Sequence, residues 1–265
     1  MLRFKVSLTA ILLSLIILMF CKSALADFPP DVVIAFTFDE DKKGIVTDIS
    51  GNSNDAELKG SEITKDGKYG SALLLNGSSN AIIQDSPELN PTDKISILAW
   101  VKVNVWADWG RLCEKGVWPN FSYLMLLGDA QGKLGFCVKN QGAESNAYSD
   151  GGVFKVGNWH HWAGIYDGSS LITYVDGEIV KQNPFAKPLD VATDVLAIGS
   201  TGGGGSKLNG IVDEFMISTE PMTQEQIKKA MDGIEAMNMA VLPKGKIATT
   251  WQNIKTYVLG NNILR

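Results

Sequence analysis

The sequence predicts an all-β fold in which antiparallel strands form a sandwich, with one short C-terminal helix. Many short apolar segments are separated by turn residues, as in sandwiches. No helical pattern alternates with them, as a parallel sheet would require. Asn76-Gly77, Asp167-Gly168 and Asp176-Gly177 supply hairpin turn signals. The 265 residues are enough for one large β domain.

Residues 1–26 have the pattern of a signal peptide. Arg3 and Lys5 precede the apolar run 6–20, and Ala24-Leu-Ala26 supplies small residues for cleavage. A membrane anchor is the weaker interpretation because this run is shorter than the roughly 20 residues that a spanning helix needs. The processed protein is therefore expected to be secreted, extracellular or periplasmic, and not membrane-spanning.

The charge of the processed chain limits its partners. Removing three basic residues and no acids leaves 21 basic and 29 acidic residues, a net charge of −8. Nucleic acids and anionic membranes bind basic surfaces, so neither is expected as a partner. The acidity is compatible with cation binding.

Cys113 and Cys137 remain after cleavage. An exported protein permits a disulfide between them. Both lie in predicted strands with a third strand between them, which would hold them too far apart to bridge. Two buried thiols are the alternative, and both interpretations stay open at this point.

The predicted strands form a series with short connections. They cover residues 32–38, 71–75, 81–84, 95–103, 111–114, 123–127, 133–138, 159–166, 171–175, 178–181, 195–198 and 211–217. Thr223 and Gln226 then form a capping box, and Met222 with Ile227 a hydrophobic staple, which together predict the helix. We expect one domain over residues 27–234 and a C-terminal extension over residues 235–265.

Eight motifs in this order carry a family resemblance. They are Phe36-Thr-Phe-Asp39, Asp48-Ile-Ser-Gly51, Leu75-Asn-Gly77, Ile95-Ser-Ile-Leu-Ala-Trp-Val101, Trp159-His-His-Trp-Ala163, Tyr174-Val-Asp-Gly177, Gly210-Ile-Val-Asp-Glu214 and Thr223-Gln-Glu-Gln-Ile227. The chain resembles the laminin-G-like, concanavalin-A-like β-sandwich domains of bacteria. The resemblance implies the jelly roll, but not the ligand, because this fold serves glycan binding, protein binding and adhesion.

The resemblance also implies a structural Ca²⁺ ion between the first strand, a glycine turn and the last strand. On the matching motifs, Asp39, Gly77 and Asp213 would supply the oxygen ligands that calcium requires, with Asp48 and Asn52 in reserve. The alternative is that Asp213 only accepts hydrogen bonds from turn amides.

The sequence does not predict an enzyme. A glycosidase on this fold needs two acids that face one groove. Asp213 and Glu214 are adjacent, so a regular strand would place them on opposite faces. The same argument separates His160 from His161. A divergent glycoside hydrolase or lyase remains a minor alternative.

An aromatic-rich set of loop-like stretches is the best candidate binding surface. Indole faces stack on sugar rings while nearby polar groups bond the hydroxyls. The candidate residues are Trp106, Trp109, Trp118, Asn120 and Tyr148, with Phe121 close by. We therefore expect an exported, non-catalytic module that binds glycan or glycoprotein at the cell surface or in the matrix. A protein–protein adhesion or assembly module, with the C-terminal tail docked on a partner, is the alternative.

Overall fold

The computed structural model describes residues 31–238, so the predicted signal peptide and most of the C-terminal extension lie outside the described residues. Within that range the chain forms sixteen strands. They are β1 (Val32–Phe36), β2 (Ile45–Val46), β3 (Ala56–Lys59), β4 (Glu62–Thr64), β5 (Ala72–Asn76), β6 (Asn80–Ile83), β7 (Ile95–Val105), β8 (Arg111–Val117), β9 (Asn120–Leu127), β10 (Leu134–Asn140), β11 (Ala143–Tyr148), β12 (Trp159–Tyr166), β13 (Ser170–Val175), β14 (Glu178–Pro184), β15 (Leu196–Ile198) and β16 (Asn209–Ser218).

Two eight-stranded antiparallel sheets form the predicted sandwich. The first sheet has the order β14-β13-β12-β7-β16-β5-β4, with β1 also paired to β16. The second sheet has the order β11-β10-β9-β8-β15-β6-β3-β2. Strand β16 is shared along one edge: its first half pairs with β5 and its second half with β1. The fold class predicted from the sequence is confirmed.

The main hydrophobic core lies between the two sheets. Its large members include Phe36, Tyr123, Phe136, Trp162 and Phe215, all at most 1% exposed. The Trp162 ring packs edge-on against Phe154. A tightly packed interior of this kind fixes the relative position of the sheets.

The outer face of the first sheet is covered by the C-terminal helical segment. Helix α1 (Gln224–Ala230) begins at the capping box of Thr223 and Gln226, in which both reciprocal hydrogen bonds form. A second helix of one turn, α2 (Glu235–Asn238), follows. Ile227, Ile234 and Met237 pack on this sheet face. The cover therefore extends beyond residue 234, the domain boundary expected from the sequence.

Strand β11 was expected as a loop. Its sequence, Ala143–Tyr148, is mostly polar because it forms the exposed edge of the second sheet, paired only with β10. The two cysteines are free and buried. Cys113 points into the main core and Cys137 into a separate cluster on the outer face, so strand β9 and opposite orientations keep them apart. No helix among residues 31–238 is long and apolar enough to cross a membrane.

Candidate functional site

The outer face of the second sheet carries its own apolar cluster. Phe121, Leu124, Leu126 and Cys137 are buried there, and Tyr148 packs partly against them. An antiparallel sheet with one solvated face would carry polar residues at these positions. This face is instead partly covered by loops, and a groove is left between them.

The groove has a volume of about 760 Å³. Its aromatic lining consists of Trp109, Trp118 and Tyr148, and the two indoles are 45% and 50% exposed. Its other lining residues are Arg111, Val117, Leu126, Glu144, Thr201, Gly203, Gly205 and Ser206. A mostly apolar concave surface with a few charged and polar groups is the usual composition of a ligand site.

A β-bulge in β8 places an ion pair beneath this groove. The register with β9 shifts between Arg111 and Cys113, so Leu112 and Cys113 both enter the main core. Arg111 and Glu114 consequently both point outward, and Arg111 Nε donates to Glu114 Oε2 at 2.8 Å with both side chains buried. A strictly alternating strand would have put the two charges on opposite faces.

Glu114 organises three parts of the groove. Besides the Arg111 guanidinium, its carboxylate accepts from the Trp118 backbone amide at 2.8 Å and from that of Gly202. The fully buried Glu114 side chain therefore connects Arg111, the turn that carries Trp118 and the loop that begins at Gly202. Burial raises the pKa of Glu114, although Arg111 and the two amides act in the opposite direction.

Trp118 is held in a defined orientation. It lies in the two-residue turn between β8 and β9, and its ring stacks on Phe121 with centroids 5.5 Å apart and planes 16° from parallel. The Arg111 guanidinium carbon lies 5.8 Å from the indole centroid. An exposed indole fixed by a stacked neighbour is a preformed platform for an apolar ligand face.

Tyr148 lies over β10 because Gly135 has no side chain. A Cβ atom at Gly135 would lie 2.3 Å from the Tyr148 ring. Burial is the largest cause that raises the pKa of the Tyr148 hydroxyl well above its usual range, followed by the neighbouring Cys137. The phenol therefore stays neutral, and it is available as a hydrogen-bonding group at the edge of the groove.

Three of the five predicted binding residues meet in the groove: Trp109, Trp118 and Tyr148. Trp106 does not, because its ring packs on the main core and its Nε1 donates to Asp108 at 3.2 Å. Asn120 begins β9 and faces a neighbouring hollow. Phe121, expected in a loop, is buried in the outer-face cluster. The sequence pattern gives no sign of Arg111 and Glu144, because their roles depend on the bulge in β8 and on the unpredicted strand β11.

The predicted calcium ligands are only partly brought together. Asp213 Oδ2 accepts from Tyr69 N at 3.0 Å and Asp39 Oδ1 from Ser71 N at 2.9 Å, so both acids bind the segment before β5. Gly77 lies beyond the other end of β5, next to Asn209. The glycine beside the acids is Gly70, where a Cβ atom would lie 2.1 Å from Asp39 Oδ1.

A second bulge changes the expected orientation of Glu214. Its φ is +51°, and the register of β16 with β7 shifts between Asp213 and Met216. Glu214 Oε2 accepts from Ile234 N on the helical segment, while the two carboxylates are close enough for Asp213 to raise the pKa of Glu214. The expectation of opposite faces fails because the strand is irregular at this point. Both acids are buried and neither lines the groove.

Burial raises the pKa values of Asp213 and Glu214 to about 7. Charge repulsion from Asp39 contributes to both of these shifts in the same direction. Within residues 31–238 no group of three or more Asp, Glu, His or Cys side chains is arranged to hold a metal ion. Asp48, a reserve ligand, accepts from the amides of Ala35, Ser50 and Asn54. Calcium binding therefore stays a prediction, with Gly70 in the place of Gly77.

The histidines have structural contacts on opposite sides of β12. His160 packs on Phe154 and its Nδ1 lies 2.7 Å from Asp176 Oδ2, while Lys155 N donates to its Nε2 at 3.1 Å. His161 is buried with its ring edge against Trp100. Burial lowers the pKa of His161 to about 4, so this ring is neutral at physiological pH.

The family model for the concanavalin A-like lectin/glucanases superfamily matches residues 75–228. The chain belongs to this superfamily. The match covers strands β6 to β16 and most of α1, including every residue that lines the groove. A search of curated proteins found no match.

Several solved structures are similar to this chain in fold. Domain 4 of AbnA, an extracellular arabinanase from Geobacillus stearothermophilus solved with arabinotriose, has 19% identity and a TM-score of 0.62 over 75% of this chain and 97% of that one. The binding domain of Paraclostridial Mosquitocidal Protein 1 has 16% identity and a TM-score of 0.60 over 77% of this chain. Botulinum neurotoxin type C, whose cell entry depends on two ganglioside molecules, has 12% identity and a TM-score of 0.59 over 76% of this chain. This chain spans about half the length of the two toxin chains, 52% and 51%.

The buried ion pair generates a stability prediction. Glu114→Gln removes the counter-charge of buried Arg111, and we expect it to lower the free energy of unfolding by about 3 kcal/mol. The double variant Arg111→Met/Glu114→Gln leaves no unpaired charge, so its free energy of unfolding should fall less than that of the single variant. Chemical denaturation measures both. Glu57→Gln, which breaks the exposed pair with Lys59, is the control and should change stability by about 0.5 kcal/mol or less. A single variant as stable as this control would contradict the prediction.

The raised pKa values of Asp213 and Glu214 predict a loss of stability with rising pH. An acid whose pKa is higher in the folded state stabilises fully below its unfolded value, near 4, and this contribution is lost as pH rises through about 7. His161 is neutral in the folded protein between pH 6.5 and 8. With chelator present, we expect the free energy of unfolding to fall by roughly 1 to 2 kcal/mol over this range. Denaturation at both pH values should show it, and Asp213→Asn/Glu214→Gln should remove it. An unchanged pH dependence in that variant would count against this assignment.

Calcium binding is tested by melting at pH 8, where both acids are largely ionised. If Asp39 and Asp213 hold the ion, millimolar Ca²⁺ should raise the melting temperature, chelator should reverse the rise, and Asp213→Asn should abolish it. Magnesium is the control cation, because it accepts irregular oxygen ligand sets less readily. Identical melting with calcium and with chelator would remove the calcium prediction.

Proposed function

We propose that the protein is an exported, non-catalytic carbohydrate-binding module whose groove holds a glycan, free or on a glycoprotein. The observation that carries the proposal is the half-exposed pair Trp109 and Trp118, which stand with Tyr148 around one concave surface. Large apolar side chains that are exposed and grouped on one surface usually mark a binding site.

The chemistry of the groove supports a sugar ligand. The C–H faces of a sugar ring pack on indoles, and its hydroxyls both donate and accept hydrogen bonds. Arg111 uses Nε for Glu114 and Nη1 for the Trp109 carbonyl, which leaves Nη2 without an acceptor among the described residues. Glu144 is exposed, and its negatively charged carboxylate supplies hydrogen-bond acceptors to the groove. The groove thus combines apolar platforms with both hydrogen-bonding polarities.

The solved structures support the same class of ligand without identifying it. The arabinanase domain was solved with arabinotriose, and entry of the type C toxin depends on gangliosides, so both proteins bind carbohydrate. At 12–19% identity these likenesses show only the fold. The arabinanase is extracellular, which agrees with export of this chain.

Two alternatives receive less support. A glycosidase needs two acids that flank the scissile bond. In the described part of the chain, Glu144 is the one acid that lines the groove, and Glu114 is buried beneath it as the partner of Arg111. A protein-assembly module would expose a flat apolar patch with an ordered tail. The exposed indoles instead line a concave groove, and most of the tail lies outside the described residues.

The proposal is tested by glycan-array screening followed by calorimetry. We expect binding to a glycan and at least a tenfold loss of affinity, about 1.4 kcal/mol, in Trp118→Ala and in Trp109→Ala. Ile179→Ala, a similarly exposed apolar residue on β14 of the other sheet, is the matched control and should bind like the unchanged protein.

Two results would overturn the proposal. One is the absence of binding to every glycan by folded protein, with and without calcium. The other is full retention of glycan binding by the double variant Trp109→Ala/Trp118→Ala. Release of reducing sugar from a bound glycan would instead show that the module is catalytic.

A further inference from the structure

A second hollow of about 390 Å³ lies beside the groove. Its lining includes Asn120, Phe121, Lys139, Val191 and Thr193. The Phe121 ring faces this hollow and stacks on Trp118, which faces the groove. The Lys139 ammonium lies 5.2 Å from the Phe121 centroid and 5.9 Å from that of Trp118. The two cavities therefore meet at a single aromatic stack.

The frame of the second hollow is fixed by buried and paired polar groups. Lys115 is fully buried and donates to Asp85 and to the carbonyls of Ala192 and Asp194. These bonds anchor the loop of residues 190–194, which forms one side of the hollow. The Asp190 carboxylate accepts from the amides of Gln141 and Gly142, at 2.7 and 2.8 Å. These contacts hold the loop against the β10–β11 hairpin, so the hollow is preformed.

Three side chains on the surface of the hollow, those of Asn120, Val191 and Thr193, are left free by the fold. Asn120 and Thr193 are exposed, and neither side chain makes a hydrogen bond with a described residue. Val191 is 54% exposed, although exposure of an apolar side chain to water does not stabilise the fold. A fixed frame thus presents an amide, a hydroxyl and an apolar side chain together.

We infer that the ligand is an oligosaccharide that crosses the Trp118–Phe121 stack and places sugar units in both cavities. The inference rests on the proposed function of the groove. An amide and a hydroxyl each donate and accept, which matches the hydroxyls of a sugar unit. The hollow offers no exposed indole, so its units bind more weakly than those on Trp109 and Trp118. It adds affinity only to a chain that is already held in the groove.

The test measures affinity against chain length. Linear arabino-, xylo-, cello- and chito-oligosaccharides of one to six units are titrated by calorimetry into the unchanged protein, Asn120→Ala/Thr193→Ala, Trp118→Ala and the control Gln182→Ala, an exposed residue on β14. In the series that binds, affinity should rise about tenfold between two and five units. Asn120→Ala/Thr193→Ala should bind the two-unit sugar normally and lose most of that rise. Trp118→Ala should weaken every length.

The outcomes separate this inference from the proposed function. Affinity that does not depend on length, or a full rise in Asn120→Ala/Thr193→Ala, would overturn the inference and leave the groove as a site for a short glycan. A failure of all four series, together with a blank glycan array, would remove both proposals. Because the two substituted residues are exposed, an unchanged melting temperature should confirm that the variant is folded.

Discussion

Both sheets carry apolar side chains on both faces, and this constraint determines how the rest of the molecule is arranged. Strand β9 shows it directly: Tyr123, Met125 and Leu127 enter the main core, whereas Leu124 and Leu126 point outward. Each outer face therefore needs a cover. Helices α1 and α2 cover the first sheet. The second sheet receives only loops and two indoles, and the space that they leave is the groove.

Strand irregularities place the buried charges in both candidate sites. The bulge in β8 turns Arg111 and Glu114 to the same face, where a guanidinium offsets the carboxylate. The bulge in β16 lies where β5 gives way to β1 as the neighbouring strand, and it brings together Asp213 and Glu214. Backbone amides of Tyr69, Glu214 and Ile234 hold these two acids. Beneath the groove, the Arg111 side chain neutralises the charge of Glu114. At Asp213 and Glu214, protonation would compete with the binding of any cation.

The sequence predicts the sandwich well because strand existence depends on local apolar pattern and turn residues. It misses β11 because an exposed edge strand needs few apolar residues, and it therefore treats Tyr148 as part of a loop. The sequence gives no sign of the role of Glu114 because its partners, Arg111 and the amides of Trp118 and Gly202, meet it only through a shifted register. The sequence suggests Gly77 as the glycine beside Asp39 and Asp213, whereas Gly70 lies there in the structure. Both glycines flank β5, and only the folded chain shows which end of this strand Asp39 reaches.

The distribution of indoles has a spectroscopic consequence. Among the tryptophans in the described part of the chain, Trp109 and Trp118 are the most exposed, Trp106 and Trp159 are half-buried, and Trp100 and Trp162 are buried. A neutral collisional quencher such as acrylamide therefore reaches the groove before it reaches the sandwich interior. Emission from Trp109 and Trp118 reports on the state of the groove, and a blue shift of that component would signal its desolvation without any added label.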